Sequence, residues 1–126
     1  MIGATNVDMS LFKSDIMDTL LDVARKVQPV AGTKIACALV YKHRIISIGI
    51  TKKKTHPYQK LYGKNDKAIF LHAEIDALVP TLGAIPRGTI LYLARVYKNG
   101  QSALVTPCSG CMRALEDNQV IGVFHT

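Results

Sequence analysis

Apolar residues first recur at spacings of three and four: Phe12, Ile16, Leu20, Val23 and Val27 make one stripe. That period predicts an amphipathic helix over residues 11–27, with Ser10 placed to cap it. The Gln28-Pro29 step ends the helix, because the residue before a proline is pushed out of the helical region. The pattern then changes character. Residues 34–41 and 44–50 are dense in β-branched and aliphatic side chains, and only Lys42 and His43 separate them, which is a hairpin link. The first of these runs is apolar almost throughout, as a central strand buried on both faces must be.

From residue 51 to residue 67 the pattern lapses into a polar, lysine-rich loop. Residues 71–79 then read as a short helix closed by Pro80, and residues 89–96 as a strand followed by the turn Tyr97-Lys98-Asn99-Gly100. Residues 108–117 read as another helix, entered through Pro107, and residues 120–125 as a last strand. Strands alternating with crossover helices predict an α/β sandwich whose last strands run parallel. No internal repeat or low-complexity tract interrupts this order.

At 126 residues the chain has the length of one domain, residues 1–126, and can bury a core without disulfide staples. With 48% hydrophobic and 20% charged residues it falls in the globular range, which excludes intrinsic disorder. No apolar run approaches the roughly 20 residues of a membrane span. The first residues lack the basic start and apolar stretch of a secretory signal. The expectation is a soluble cytoplasmic protein with no membrane partner. Sixteen Lys and Arg against nine Asp and Glu give +7, a balance that favours anionic partners such as nucleotides or nucleic acid. Three cysteines argue against a disulfide framework. Cys37 lies within an apolar run and reads as a buried structural thiol.

The chemistry gathers in two short stretches, His72-Ala73-Glu74 and Pro107-Cys108-Ser109-Gly110-Cys111, each at a predicted helix start. Cys108 and Cys111 are three apart, so both sulfurs can point to one side of a first turn. Helix amides and dipole there favour the thiolates that bind zinc. His72 supplies a neutral imidazole as third ligand, which leaves a fourth tetrahedral position for water, as in a catalytic zinc site. Glu74 is suited to take a proton from that water and return it to a leaving group. Residues two apart diverge on a regular helix, so His72 and Glu74 must sit at the loop-to-helix junction to share a site. A lone C-x-x-C also serves as a redox pair or as half of a structural zinc knot. No second C-x-x-C exists here to complete a knot, and a thioredoxin-type pair would follow the first strand.

At these residues the sequence resembles the cytidine and deoxycytidylate deaminase superfamily, whose zinc enzymes carry a histidine/glutamate and a proline-cysteine motif. The resemblance covers most of the chain, from about Lys34 onward. It implies a three-layer α/β/α sandwich with a mixed sheet of four to five strands. Only four main strands are read from the pattern, so either the fifth is absent or residues 102–105 supply a short one. The resemblance further implies Zn2+ on His72, Cys108 and Cys111, with Glu74 as proton shuttle in a hydrolytic deamination that releases ammonia. It also implies that the Ala73 backbone and a carbonyl near Thr106 hold the base. Thr51 stands where the family often carries an asparagine that contacts the sugar. Either the Thr51 hydroxyl or Asn65 takes that contact. An uncovered sheet edge invites pairing, so a homo-oligomer is expected.

Six lysines lie between residues 52 and 67, with His56, Tyr58 and Tyr62 among them. They read either as a solvated loop or as a basic lip over the zinc pocket, with Lys52–Lys54 holding phosphate and a tyrosine stacking on a base. His56 is a phosphate contact, a group behind the site or a turn residue beside Pro57. Phe70 and Leu71 are a pocket wall or core. Three functions follow: a deaminase of free cytidine nucleosides or nucleotides, with deoxycytidylate favoured; a deaminase of cytosine or adenine in single-stranded DNA or RNA; or an inactive zinc-stabilised binding module. Retention of Glu74 argues against the last. Read as a compact domain without appended arms or a long aromatic groove, the chain is expected to be the small-molecule enzyme.

Overall fold

The computed structural model describes residues 9–62 and 70–126. In chain order its elements are α1 Met9–Lys26, β1 Lys34–Tyr41, β2 Arg44–Ile50, α2 Pro57–Tyr62 and α3 Ala73–Leu78. They continue with a 3-10 turn Val79–Thr81, β3 Thr89–Val96, β4 Ser102–Ala103, α4 Ser109–Asp117 and β5 Val120–His125.

β1 is the central strand and pairs antiparallel with β2 on one side and β3 on the other. The far side of β3 is shared: β5 runs parallel to it from Thr89 to Leu93, and β4 turns back antiparallel beside Arg95 and Val96. The strand period of two then sorts the core into two layers. Cys37, Leu39, Leu91 and Leu93 point to one face and pack under α3 and α4 with Ile75, Ala77, Cys111 and Leu115. Ala36, Ala38, Tyr92, Ala94 and Val96 point to the other and meet Ile16, Leu20 and Ala24 of α1. The result is the expected three-layer α/β/α sandwich with a mixed sheet of five strands.

The hairpin link falls at Lys42 and His43, which take φ of 47° and 66°, the left-handed pair that a two-residue turn needs. Cys37 is fully buried. Some boundaries differ from the sequence reading. α1 already includes Met9, so Ser10 lies inside the helix rather than at its cap. The expected loop over residues 51–67 contains α2, started by Pro57 and by the His56 Nδ1 that accepts the Tyr58 amide at 3.0 Å. Leu71 is not helical: it exchanges backbone hydrogen bonds with Lys52, 3.0 Å each way, and so ties the entry of α3 to the end of β2. The fifth strand is the short β4, within the stretch 102–105.

Two glycines allow the close approach of layers. A methyl group on Gly49 of β2 would lie 2.5 Å from the Ala77 amide nitrogen and against the Ala73 carbonyl. One on Gly110 of α4 would meet the Tyr62 backbone of α2, 3.0 Å from its carbonyl carbon. α3 and α2 therefore sit directly on backbone.

Candidate metal centre and active site

His72 precedes α3 with extended backbone, φ −71° and ψ 150°, and Glu74 is the second residue of the helix. That half-in position lets both side chains serve one cleft, as the junction argument requires. Cys108 holds the same position before α4, φ −69° and ψ 166°, and its sulfur accepts the Cys111 amide at 3.4 Å. Both sulfurs then face one imidazole nitrogen. Cys111 Sγ lies 3.3 Å and Cys108 Sγ 3.7 Å from His72 Nδ1, and the three ligand atoms all fall within 4.8 Å of one another.

These separations fit zinc. Bond lengths near 2.3 Å to sulfur and 2.0 Å to nitrogen place tetrahedral S and N ligands about 3.5 Å apart. The electrostatics fit as well. Hydrogen bonds from the Cys111 thiol and then from His72 pull Cys108 down to about 3. The hydrogen bond to Cys108, and then burial, push the Cys111 thiol up. One thiolate thus rests beside one thiol; the second sulfur would ionise only with a cation between them, which a soft divalent ion would supply. His72, Cys108 and Cys111 are thus positioned to bind a metal ion.

Glu74 is buried, 6% exposed, and burial pushes its carboxyl above the usual value of 4.5. It shares a cleft of about 250 Å³ with His72 and Cys108, walled by Ile35, Thr51, Phe70, Val105 and Thr106. Thr51 and Thr106 are therefore at the site, and Phe70 forms a wall. Ala73, between His72 and Glu74 in the chain, is fully buried. Lys54 does not reach this cleft. It lines an adjoining one of about 480 Å³ with Gln28, Lys52 and Lys53, and Val30 and Thr51 belong to both. His56 lines neither, because its imidazole is committed to the start of α2. Asn65 lies outside the described residues.

Neither Tyr58 nor Tyr62 lines either cleft. Tyr58 accepts a hydrogen bond from Asn118 Nδ2 at 2.8 Å, and Tyr62 donates one to Asp117 at 2.7 Å, so both fasten α2 to α4. Lys52 is spoken for too: its Nζ meets Asp76 Oδ1 at 2.9 Å, while Asp76 Oδ2 accepts the Ile50 amide at 3.0 Å. Gln59 and Asp76 were not singled out by sequence. Gln59 sits in the lysine-rich stretch that reads as loop, and nothing local marks Asp76 as a strand anchor. No helix among the described residues is long and apolar enough to cross a membrane.

An α/β/α sandwich holding two cysteines, a histidine and a buried glutamate at adjacent helix starts defines the class: a metal-binding protein of deaminase architecture. The profile of the cytidine and deoxycytidylate deaminase zinc-binding region matches residues 11–124, and the chain belongs to that family. Among solved structures it is similar to the dCMP deaminase of cyanophage S-TIM5 in apo form, with 19% identity and a TM-score of 0.64 over 91% of this chain and 82% of that one. The same cyanophage enzyme in complex with dCMP and dUMP matches with 16% identity and a TM-score of 0.55, over 93% and 78% of the two chains. Cytidine deaminase from Mycobacterium leprae matches with 14% identity and a TM-score of 0.55, over 86% and 84%. No curated protein matches the chain.

Proposed function

We propose that this chain is a zinc-dependent hydrolytic deaminase of a free cytosine nucleotide, deoxycytidylate favoured, formed as a single domain. The observation that carries this reading is the pair of joined clefts. The 250 Å³ cleft is smaller than pockets for drug-sized ligands, so it takes a base and leaves the rest of a nucleotide outside. The rest then extends past Thr51, which belongs to both clefts, toward Lys53 and Lys54. Lys52 is paired with Asp76, so the other two lysines are the ones that meet phosphate.

Zinc, when bound to His72, Cys108 and Cys111, lowers the pKa of water toward 7 and so makes it a nucleophile. Glu74 would take protons from water and hand them on, one to the ring nitrogen and one to the exocyclic amino group, so that the exocyclic carbon–nitrogen bond is replaced by carbon–oxygen and ammonia leaves. Burial raises this carboxyl above its ordinary value, which makes it a stronger proton acceptor than an exposed one. The Thr51 hydroxyl is the sugar contact, and the backbone at Ala73 and Thr106 holds the base.

The free thiols of the centre suit a reducing cytoplasm. Ile45, Ile46 and Ile48 are 40%, 36% and 44% exposed on the edge strand β2, which supports a homo-oligomer. Deamination of single-stranded DNA or RNA is the second reading, supported by the net charge of +7. One mass-spectrometric panel separates the two, with zinc-loaded protein, cytidine, deoxycytidine, their monophosphates, adenosine and oligonucleotides. Conversion of dCMP with weak salt dependence is expected. Conversion of oligonucleotides alone, falling steeply with salt, overturns the nucleotide reading.

A further inference from the structure

α2 touches both halves of the donor set. Gln59 is 1% exposed, and its Oε1 accepts the His72 backbone N–H at 2.9 Å. The same helix also rests on α4, where Gly110, the neighbour of Cys111, admits the Tyr62 backbone. Tyr58 to Asn118 and Tyr62 to Asp117 then fasten that contact from the side chains. The entry of α3 carries no capping side chain of its own at His72. Its backbone is held from outside, by Gln59 at His72 and by Lys52 and Lys54 at Leu71.

We propose that Gln59 is a positioning residue for the metal centre: α2 braces His72 against α4, so that one imidazole nitrogen meets the two sulfurs of Cys108 and Cys111. The physical reason is geometric. His72 and the cysteines belong to separate elements, and only packing fixes their separation. A ligand one backbone rotation away from its place would leave the cation two donors rather than three. Gln59 removes that freedom with one buried hydrogen bond, whose loss would also strand a backbone donor. The lysine-rich stretch thus contributes a support for the metal as well as charge. Gln59 has this role whatever substrate the cleft takes.

The test is zinc affinity, measured by competition with a chromophoric chelator, alongside thermal melting of the zinc-free protein. Gln59→Leu keeps the volume and removes the acceptor. Gln59→Glu keeps an acceptor at the same reach, and Gln59→Asn withdraws it by one methylene. Gln59→Leu and Gln59→Asn are expected to weaken zinc binding by about 10–100-fold, and Gln59→Glu to recover most of the loss. Cobalt substitution gives a second readout: the tetrahedral absorption band of wild type should persist in Gln59→Glu and shift in Gln59→Asn. If Gln59→Leu does not fold, the Glu and Asn pair decides the matter alone. Variants that melt lower yet bind zinc within twofold of wild type would make Gln59 merely structural and overturn the proposal. Equal weakening by Glu and Asn would overturn it as well. Wild-type protein that binds no zinc would instead overturn the metal centre itself.

Discussion

Gly49→Ala tests whether the sheet sets the position of the active-site helix. The added methyl would stand 2.5 Å from the Ala77 amide nitrogen and 2.9 Å from the Ala77 Cβ, and would also strike the Ala73 carbonyl. Ordinary carbon contacts lie near 3.5 Å, so β2 and α3 must separate by about 1 Å. Neither side can give cheaply, because two of the three obstructing atoms are helix backbone. Overpacking of this kind costs about 3 kcal/mol, the upper part of its usual range. A chain of 126 residues has an unfolding entropy of about 0.26 kcal/mol per kelvin, so the melting midpoint should fall by about 10 °C. α3 carries Glu74 and follows directly on His72, so a 1 Å displacement should also lower kcat/KM by about 100-fold. Differential scanning calorimetry and steady-state kinetics on the same preparation read both effects. Gly122→Ala is the control within the sheet, since a methyl there meets nothing within 4 Å, and its midpoint should stay within about 2 °C. A Gly49→Ala protein that melts with wild type, or that melts lower but turns over normally, refutes the reasoning.

Glu74→Gln should abolish turnover while zinc content, measured by atomic emission, stays at one per chain. The folded-state pKa of Glu74 is raised, so above 4.5 the unfolded chain releases a proton that the native state retains, and wild-type stability falls as pH rises through that window. Zinc-free Glu74→Gln should lose this slope and melt no lower than wild type at pH 7; a lower midpoint would mean the carboxylate stabilises the fold. Removing zinc from wild type by dialysis against chelator should lower the midpoint by on the order of 10 °C if the metal was present at 100 times its Kd, and Cys108→Ser should melt like the zinc-free protein with or without added metal. Replacing Lys53 and Lys54 by Ala should raise the KM for dCMP several-fold and leave deoxycytidine unchanged; equal changes for both would remove phosphate from the adjoining cleft.

The metal centre was legible because its parts lie close in sequence and each has few alternative uses. Cys108 and Cys111 are three apart behind Pro107, and His72 and Glu74 share one helix start. The strands were legible for a similar local reason, since residues 34–41 and 89–96 are almost continuously apolar, as strands buried on both faces must be. What escaped depends on pairs far apart in the chain. Gln59 meets His72 across 13 residues and Asp76 meets Lys52 across 24, and no local pattern encodes either. α2 escaped because six residues are too few to show a helical period. Lys52 reads by residue type as an anion contact, whereas a carboxylate engages it; of the three readings of His56, its bond to the Tyr58 amide matches the turn beside Pro57. Net charge likewise suggested an anionic ligand without saying where one would bind.

The division between reaction and substrate follows from the same geometry. The donors and Glu74 sit on helix starts held by the sheet, by Gly49 and by α2, and these fix what chemistry the centre can support. The walls come from elsewhere: Thr51 after β2, Phe70 before α3 and Thr106 before α4, all connecting segments. Loops can change without moving the metal, which is why one architecture accommodates several substrates. On the proposed function the decisive wall position is Thr51, the polar one of the two residues, with Val30, that border both clefts. On the proposed function, a nucleotide must pass over that residue to place its phosphate near Lys53 and Lys54. A larger side chain there, as in Thr51→Phe, would close the passage between the clefts while leaving the metal ligands untouched. Loss of dCMP turnover with full zinc content would then locate specificity in this junction rather than in the centre.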